Sequence, residues 1–177
     1  MNYLQRVARL GSVRLTLLVA AAIYVLGGAF APQTATAQWD RSALQKALRA
    51  TVHVVVPVSG EDGVYSTGSG TVLDADRGLI LTNYHVLADI EGRGNLYNDS
   101  GTAIIGMMPD NVRGTPVYKY VAELVKGSPE WDLAVLRIVG LLDDERAALP
   151  SNLGLVAIKR GDSEDLLPGH KLAVVGY

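Results

Sequence analysis

The sequence predicts an all-β fold, an antiparallel barrel or sandwich. From Thr51 to Val58 valines occupy every second position, the period of a strand with one buried face. Turn signals follow at short intervals, and no long stretch has the period of a helix. The apolar runs between the turns predict further strands at about residues 70–73, 79–82, 102–108, 117–125, 133–139 and 172–175. Pro57 places the first strand at an edge or marks its end.

The first 37 residues differ from the rest of the chain. They contain Arg6, Arg9 and Arg14 and no acidic residue, followed by an apolar run over residues 15–31 and by Ala-Thr-Ala at 35–37. This layout predicts a secretory signal peptide, cleaved after residue 37. Because the run has 17 residues, an uncleaved membrane anchor through residues 15–31 remains the alternative. In both cases the arginines stay on the cytoplasmic side of the membrane, so the rest of the chain is expected to be extracytoplasmic, that is, periplasmic or secreted.

Charge and cysteine content restrict the function of residues 38–177. This part carries 13 basic and 18 acidic residues, a formal charge of −5, which argues against nucleic-acid binding. The chain has no cysteine, so its stability cannot come from disulfides and depends on its core.

A short lead-in helix is predicted over residues 38–50. Asp40 is a suitable N-cap, and Trp39 and Leu44 stand where a hydrophobic staple would close. Its apolar stripe consists of Ala43, Leu44, Ala47 and Leu48. We expect the helix to lead directly into the first strand.

The three histidines are not equivalent. His53 lies on the less apolar face of its strand and His170 follows a Pro-Gly turn, so both are interpreted as surface residues. A metal site formed by all three would need distant segments to converge, and no close ligand spacing supports one. We therefore predict no metal and no cofactor.

His85 ends a strand that otherwise reads as core. A histidine in such a place is often a satisfied core residue, but a second residue suggests another interpretation. Asp132 stands at the mouth of the apolar run 133–138, and a carboxylate buried there would need donors. An imidazole N–H is a suitable donor, and a histidine oriented by an aspartate forms the base half of a Ser-His-Asp system.

Four segments in order carry a family resemblance. They are GSGTVL at 68–73, GLILTNYHV at 78–86, DLAVL at 132–136 and LAVVGY at 172–177. Together they resemble the successive signatures of trypsin-like serine proteases, in the cysteine-free form of the bacterial HtrA/Deg branch. The segment between His85 and Asp132 is longer than in compact members of that branch.

The resemblance implies a fold of two β-barrels, a serine endopeptidase activity and polypeptide substrates. His85 would be the general base and Asp132 its orienting carboxylate, both from the first barrel, and the nucleophilic serine would belong to the second. On this interpretation residues 51–177 form an incomplete first barrel. The chain ends before the serine and is expected to be inactive alone.

Ser163 is a poor candidate for the nucleophile. Gly161-Asp162-Ser163 resembles the start of the nucleophile motif, but Glu164 and Asp165 replace its two glycines. Two carboxylates there would oppose the developing oxyanion. Ser163 also lies only 31 positions after Asp132, too few for a second barrel to intervene.

A noncatalytic exported barrel that only binds, a pseudoprotease, is the alternative function. A Gly-Asn-Ser-Gly-Gly or Gly-Asp-Ser-Gly-Gly segment beyond Tyr177 would favour the enzyme. Its absence from the completed gene would favour the binding module.

Overall fold

The computed structural model describes residues 40–89, 94–112, 114–144 and 146–177. The predicted signal or anchor and the staple residue Trp39 lie outside the described residues. Within these ranges, no helix has both the length and the apolar character required to span a bilayer.

One α-helix, α1, is present in the described part of the chain, at Arg41–Ala50. Asp40 is its N-cap, because Asp40 Oδ1 accepts the backbone N–H groups of Ser42 and Ala43 at 2.9 and 3.3 Å. It ends where the chain turns directly into the first strand. Part of its apolar stripe, with Leu44 in it, faces Ala173 and Val175 across a shallow apolar groove.

Six antiparallel strands form a closed barrel, which confirms the all-β prediction. The strands of the structure are β1 Thr51–Pro57, β2 Tyr65–Asp74, β3 Leu79–Thr82, β4 Ala88–Asp89, β5 Asn95–Leu96, β6 Thr102–Met107, β7 Val117–Ser128 and β8 Leu133–Leu141. The barrel order is β1-β2-β3-β8-β7-β6, closed by pairing of β6 with β1, and β4 and β5 form a separate short ribbon. The described strands are thus consistent with one trypsin-like barrel.

The barrel interior is filled by the alternating side chains that the sequence predicts. Val52, Val54 and Val56 of β1 are buried, and Ile80 and Leu136 are fully buried on neighbouring strands. Barrel diameter grows with strand number, and about eight strands leave an interior just wide enough for side chains to fill, so this six-stranded barrel is narrower still. It is therefore a packed core.

The predicted strand at residues 172–175 is wrong. The structure has no strand there, and Leu172 and Val174 are 68% and 100% exposed. The barrel has already closed through β1 and β6, so it presents no free edge with which this segment could pair. An apolar β-like sequence is not enough without a partner strand.

Two other differences concern strand extent. β2 begins at Tyr65, five residues before the predicted strand, although residues 65–69 are mostly polar or glycine. Pairing along all of β1, from Thr51 opposite Thr71 to Pro57 opposite Tyr65, overrides this local preference. The ribbon of β4 and β5 was not predicted, because two-residue strands carry no periodicity.

A buried hydrogen bond ties the segment after β8 to the barrel. Tyr120 is fully buried, and its hydroxyl donates to the carbonyl oxygen of Leu153 at 2.7 Å. Tyr120→Phe should lower the free energy of unfolding by about 1–3 kcal/mol, because a buried carbonyl loses its donor. Urea denaturation measures this loss. The exposed Tyr65→Phe is the matched control, and equal midpoints for both variants would contradict the prediction.

Candidate active site

His85 is held by the burial of its two neighbours. It lies in a 3₁₀ turn, Tyr84–Val86, directly after β3, and both Tyr84 and Val86 are buried while His85 is exposed. Two glycines make room for them. A Cβ at Gly68 would lie 2.5 Å from Val86 Cγ2, and one at Gly127 would lie 2.5 Å from Tyr84 Cε2. The turn is thus packed on both sides, and the imidazole emerges between them.

Asp132 is presented by a tight hairpin loop. Residues 129–132 connect β7 to β8, and the N–H of Asp132 donates to the carbonyl oxygen of Pro129 at 3.2 Å. Asp132 has a φ of 47°, in the left-handed region that aspartate adopts more readily than most residues. This backbone conformation ends the loop, and β8 starts at the next residue.

The structure brings His85 and Asp132 into contact. His85 Nδ1 lies 2.8 Å from Asp132 Oδ2, and the His85 backbone N–H donates to Asp132 Oδ1 at 2.9 Å. Both carboxylate oxygens therefore bind the same residue, one through its ring and one through its main chain. Asn83 adds a donor: its Nδ2 lies 3.1 Å from both Oδ2 and the backbone oxygen of Asp132.

These donors lower the pKa of the Asp132 carboxyl. The largest contribution to the lower pKa is the His85 backbone N–H, followed by the His85 ring. The pair is open to water, with 52% of the His85 side chain and 36% of the Asp132 side chain exposed. The carboxylate is thus ionised at neutral pH, and the imidazole has a fixed acceptor for its Nδ1 proton.

The lowered pKa of Asp132 predicts a stability change in acid. A carboxyl with a lowered pKa stabilises the fold above its ordinary value of 3.8, and the contribution is lost as pH falls through the folded-state pKa. Between pH 6 and pH 2.5 the wild-type chain should therefore lose more stability than Asp132→Asn. Urea denaturation at both pH values measures this. Equal losses in the two proteins would contradict it.

The other two histidines lie elsewhere. His53 Nδ1 is 2.8 Å from the Tyr118 hydroxyl and its ring centroid is 5.0 Å from that of Tyr177; partial burial lowers the pKa of His53. His170 Nδ1 accepts the Leu167 N–H at 3.2 Å in an exposed turn. Among the residues that the structure describes, no three or more His, Cys, Asp or Glu side chains are grouped to hold a metal ion.

Ser163 is not among the residues that contact His85 or Asp132. It begins an exposed 3₁₀ turn, Ser163–Asp165, in which Asp162 Oδ1 accepts the Glu164 N–H at 3.0 Å. The side chain of Asp162 thus caps a surface turn.

Asn83 is the site residue that sequence reasoning missed. It appeared only as a letter of the motif around His85. Its position suggested a different role, because an Asn directly before a helical turn is usually a capping residue. The structure shows that its side chain makes no cap bond.

The part of the sequence that contains this site matches a known protein family. Residues 68–177, more than half of the chain, match the trypsin-like peptidase domain family. The chain belongs to the trypsin-like peptidase domain family. The matched region contains His85, Asp132 and Asn83 but begins after β1, whose pairing with β2 and β6 completes the barrel.

The chain is also similar in sequence to two curated proteins that are named as serine endoproteases. The chain is 30% identical over 109 residues to the periplasmic serine endoprotease DegP of Escherichia coli K12, and equally to that of Escherichia coli O157:H7. The alignment covers 62% of this chain and 17% of each relative. This trypsin-like chain thus spans under a fifth of the length of those proteins. The relatives agree with its resemblance to the HtrA/Deg branch.

Two solved structures are similar to parts of the chain. The serine endoprotease from Yersinia pestis is 29% identical with a TM-score of 0.38, covering 66% of this chain and 30% of its own. The structure of Deg5 is 27% identical with a TM-score of 0.45, covering 72% of this chain and 50% of its own.

Proposed function

We propose that this chain is the N-terminal part of an exported serine endopeptidase, in which His85 is the general base and Asp132 orients it. The observation that carries the proposal is the double contact of His85, through Nδ1 and the main-chain N–H, with the Asp132 carboxylate. An aspartate so placed fixes the tautomer of the imidazole and stabilises the imidazolium. Membership of the trypsin-like family supports this role.

The reaction requires a proton acceptor directed toward the substrate. With Nδ1 held by Asp132, Nε2 takes the proton of a serine hydroxyl as the serine attacks the peptide carbonyl, and it then gives that proton to the leaving amine. Water hydrolyses the acyl-enzyme with the same base. The serine and the oxyanion donors come from residues beyond Tyr177 in a second barrel, so the 177 residues alone are inactive.

Location and partners follow from the same proposal. Residues 1–37 export the chain as a signal peptide or retain it at the membrane through residues 15–31. Residues 38–50 are the lead-in helix segment, and residues 51–177 contain the first barrel and the segment that follows its last strand. The substrates are polypeptides outside the cytoplasm. The periplasmic location in the name of the DegP relatives supports export.

A fluorophosphonate probe tests the proposal, because an activated serine attacks its phosphorus, fluoride leaves and the serine becomes phosphonylated. The protein expressed with the coding sequence beyond Tyr177 should be labelled and should cleave casein, and the labelled peptide should lie in the added segment. The 177-residue chain should stay unlabelled. Labelling of Ser163, or a full-length protein that neither reacts nor cleaves, would overturn the proposal; the second result is the one expected of a noncatalytic binding module.

A further inference from the structure

We infer that Asn83 is a positioning residue, which acts through Asp132 to keep the His85 ring in the tautomer that a general base needs. The inference rests on the proposed function of the His85 and Asp132 pair. The observation is the double contact of one amide nitrogen, Asn83 Nδ2, with two atoms of Asp132.

The local conformation frees the Asn83 side chain for this contact. Asn83 lies between β3 and the turn that carries His85, with extended backbone angles of −80° and 148°. An Asn before a helical turn commonly accepts a backbone N–H of that turn. Here it makes no such bond, and its amide reaches a residue 49 positions away.

The contact restricts how the carboxylate can turn. Asn83 Nδ2 donates to the main-chain oxygen and to Oδ2 of Asp132, each at 3.1 Å. Because one donor group links the main chain of the aspartate to its carboxylate, rotation about the side-chain torsions of Asp132 is restricted. The His85 N–H holds only Oδ1. With that donor alone, the carboxylate could rotate about its Oδ1 contact and move Oδ2 out of the imidazole plane.

The chemical type of the donor also matters. An amide NH₂ donates and cannot accept, so its bond to Oδ2 favours the ionised carboxylate, the stronger acceptor. Nδ1 of the His85 ring lies 2.8 Å from the same Oδ2. An ionised carboxylate only accepts, so Nδ1 must be the donor to it and carry the ring proton. The other ring nitrogen, Nε2, is left as the base. Asn83 thus adds to the stabilisation of the ionised carboxylate by the His85 N–H and, through it, favours the productive tautomer.

Histidine-ring NMR of the full chain tests this without requiring activity. In the ¹⁵N-histidine-labelled chain, kept in mild detergent because of residues 15–31, the neutral His85 ring should carry its proton on Nδ1. Asn83→Leu and Asn83→Ala should both shift His85 toward a mixture of tautomers. The rings of His53 and His170 should be unchanged, and His53, which lies on β1, reports that the barrel is folded. Asn152→Leu, at an exposed asparagine whose Oδ1 accepts the Gly154 N–H, is the matched control.

Kinetics of the full-length protein give the second readout. Asn83→Leu should lower kcat by roughly 10- to 100-fold with KM unchanged, the size of effect known for residues that orient metal-binding histidines. Unchanged tautomer and kcat would overturn the inference, even if unfolding shifted, because Asn83 would then only support the loop. If His85→Ala stays active, the proposed function fails instead.

Discussion

His85→Ala should reduce kcat of the full-length protein by about a million-fold. The base and the nucleophile act as one unit, so losing the base removes almost all of the benefit of the serine. Asp132→Asn should cost about ten-thousand-fold, because the amide stabilises the wrong tautomer while the geometry persists. Initial rates on a peptide substrate, with active sites counted by titration, measure both.

The double variant makes the test sharper. Residues that act as a unit are strongly non-additive, so His85→Ala with Asp132→Asn should be no slower than His85→Ala alone. His170→Ala is the matched control, since that ring serves only an exposed turn in the contacts described. Multiplied effects in the double variant would mean that the two residues act independently and would contradict the paired mechanism.

Gly127→Val should strongly destabilise the protein near the site. A Cβ at this position meets Tyr84 Cε2 and Cδ2 at 2.5 and 2.6 Å, and the ring is buried and cannot swing into solvent. Overpacking of this kind typically costs 1–3 kcal/mol, and we expect about 3 kcal/mol because two further methyl groups must fit. Urea denaturation measures the loss. Displacement of Tyr84 should also move His85, so kcat should fall.

Gly140→Val provides a matched control on the adjacent strand β8. A Cβ there meets no atom within 4 Å, so valine, which favours strands, should be neutral or slightly stabilising. If both variants unfold at the same urea concentration, the Tyr84 ring is not held against Gly127. In that case the account of how His85 is positioned would be wrong.

Local pattern was sufficient for much of the fold. The alternation in β1 predicted its buried valines, and the apolar run 79–82 predicted β3 with the bounds Leu79–Thr82. Residues 65–69, mostly polar or glycine, form a strand that was not predicted, whereas the apolar segment 172–175 was predicted as a strand and forms none. In both cases the availability of a partner strand, which a local pattern does not contain, decided whether the residues form a strand.

By itself, the sequence determined the all-β class, Asp40 as the N-cap of the helix, and His85 and Asp132 as the candidate base and its carboxylate. These depend on short-range periodicity, on capping and on family motifs. Only the tertiary structure decided that the two side chains meet at 2.8 Å and that Asn83 joins them. Asp132 lies 47 positions from His85 and 49 from Asn83 along the chain. Contacts over such separations depend on strand register, on barrel closure and on the packing of Tyr84 and Val86 against glycines. These are properties of the whole barrel.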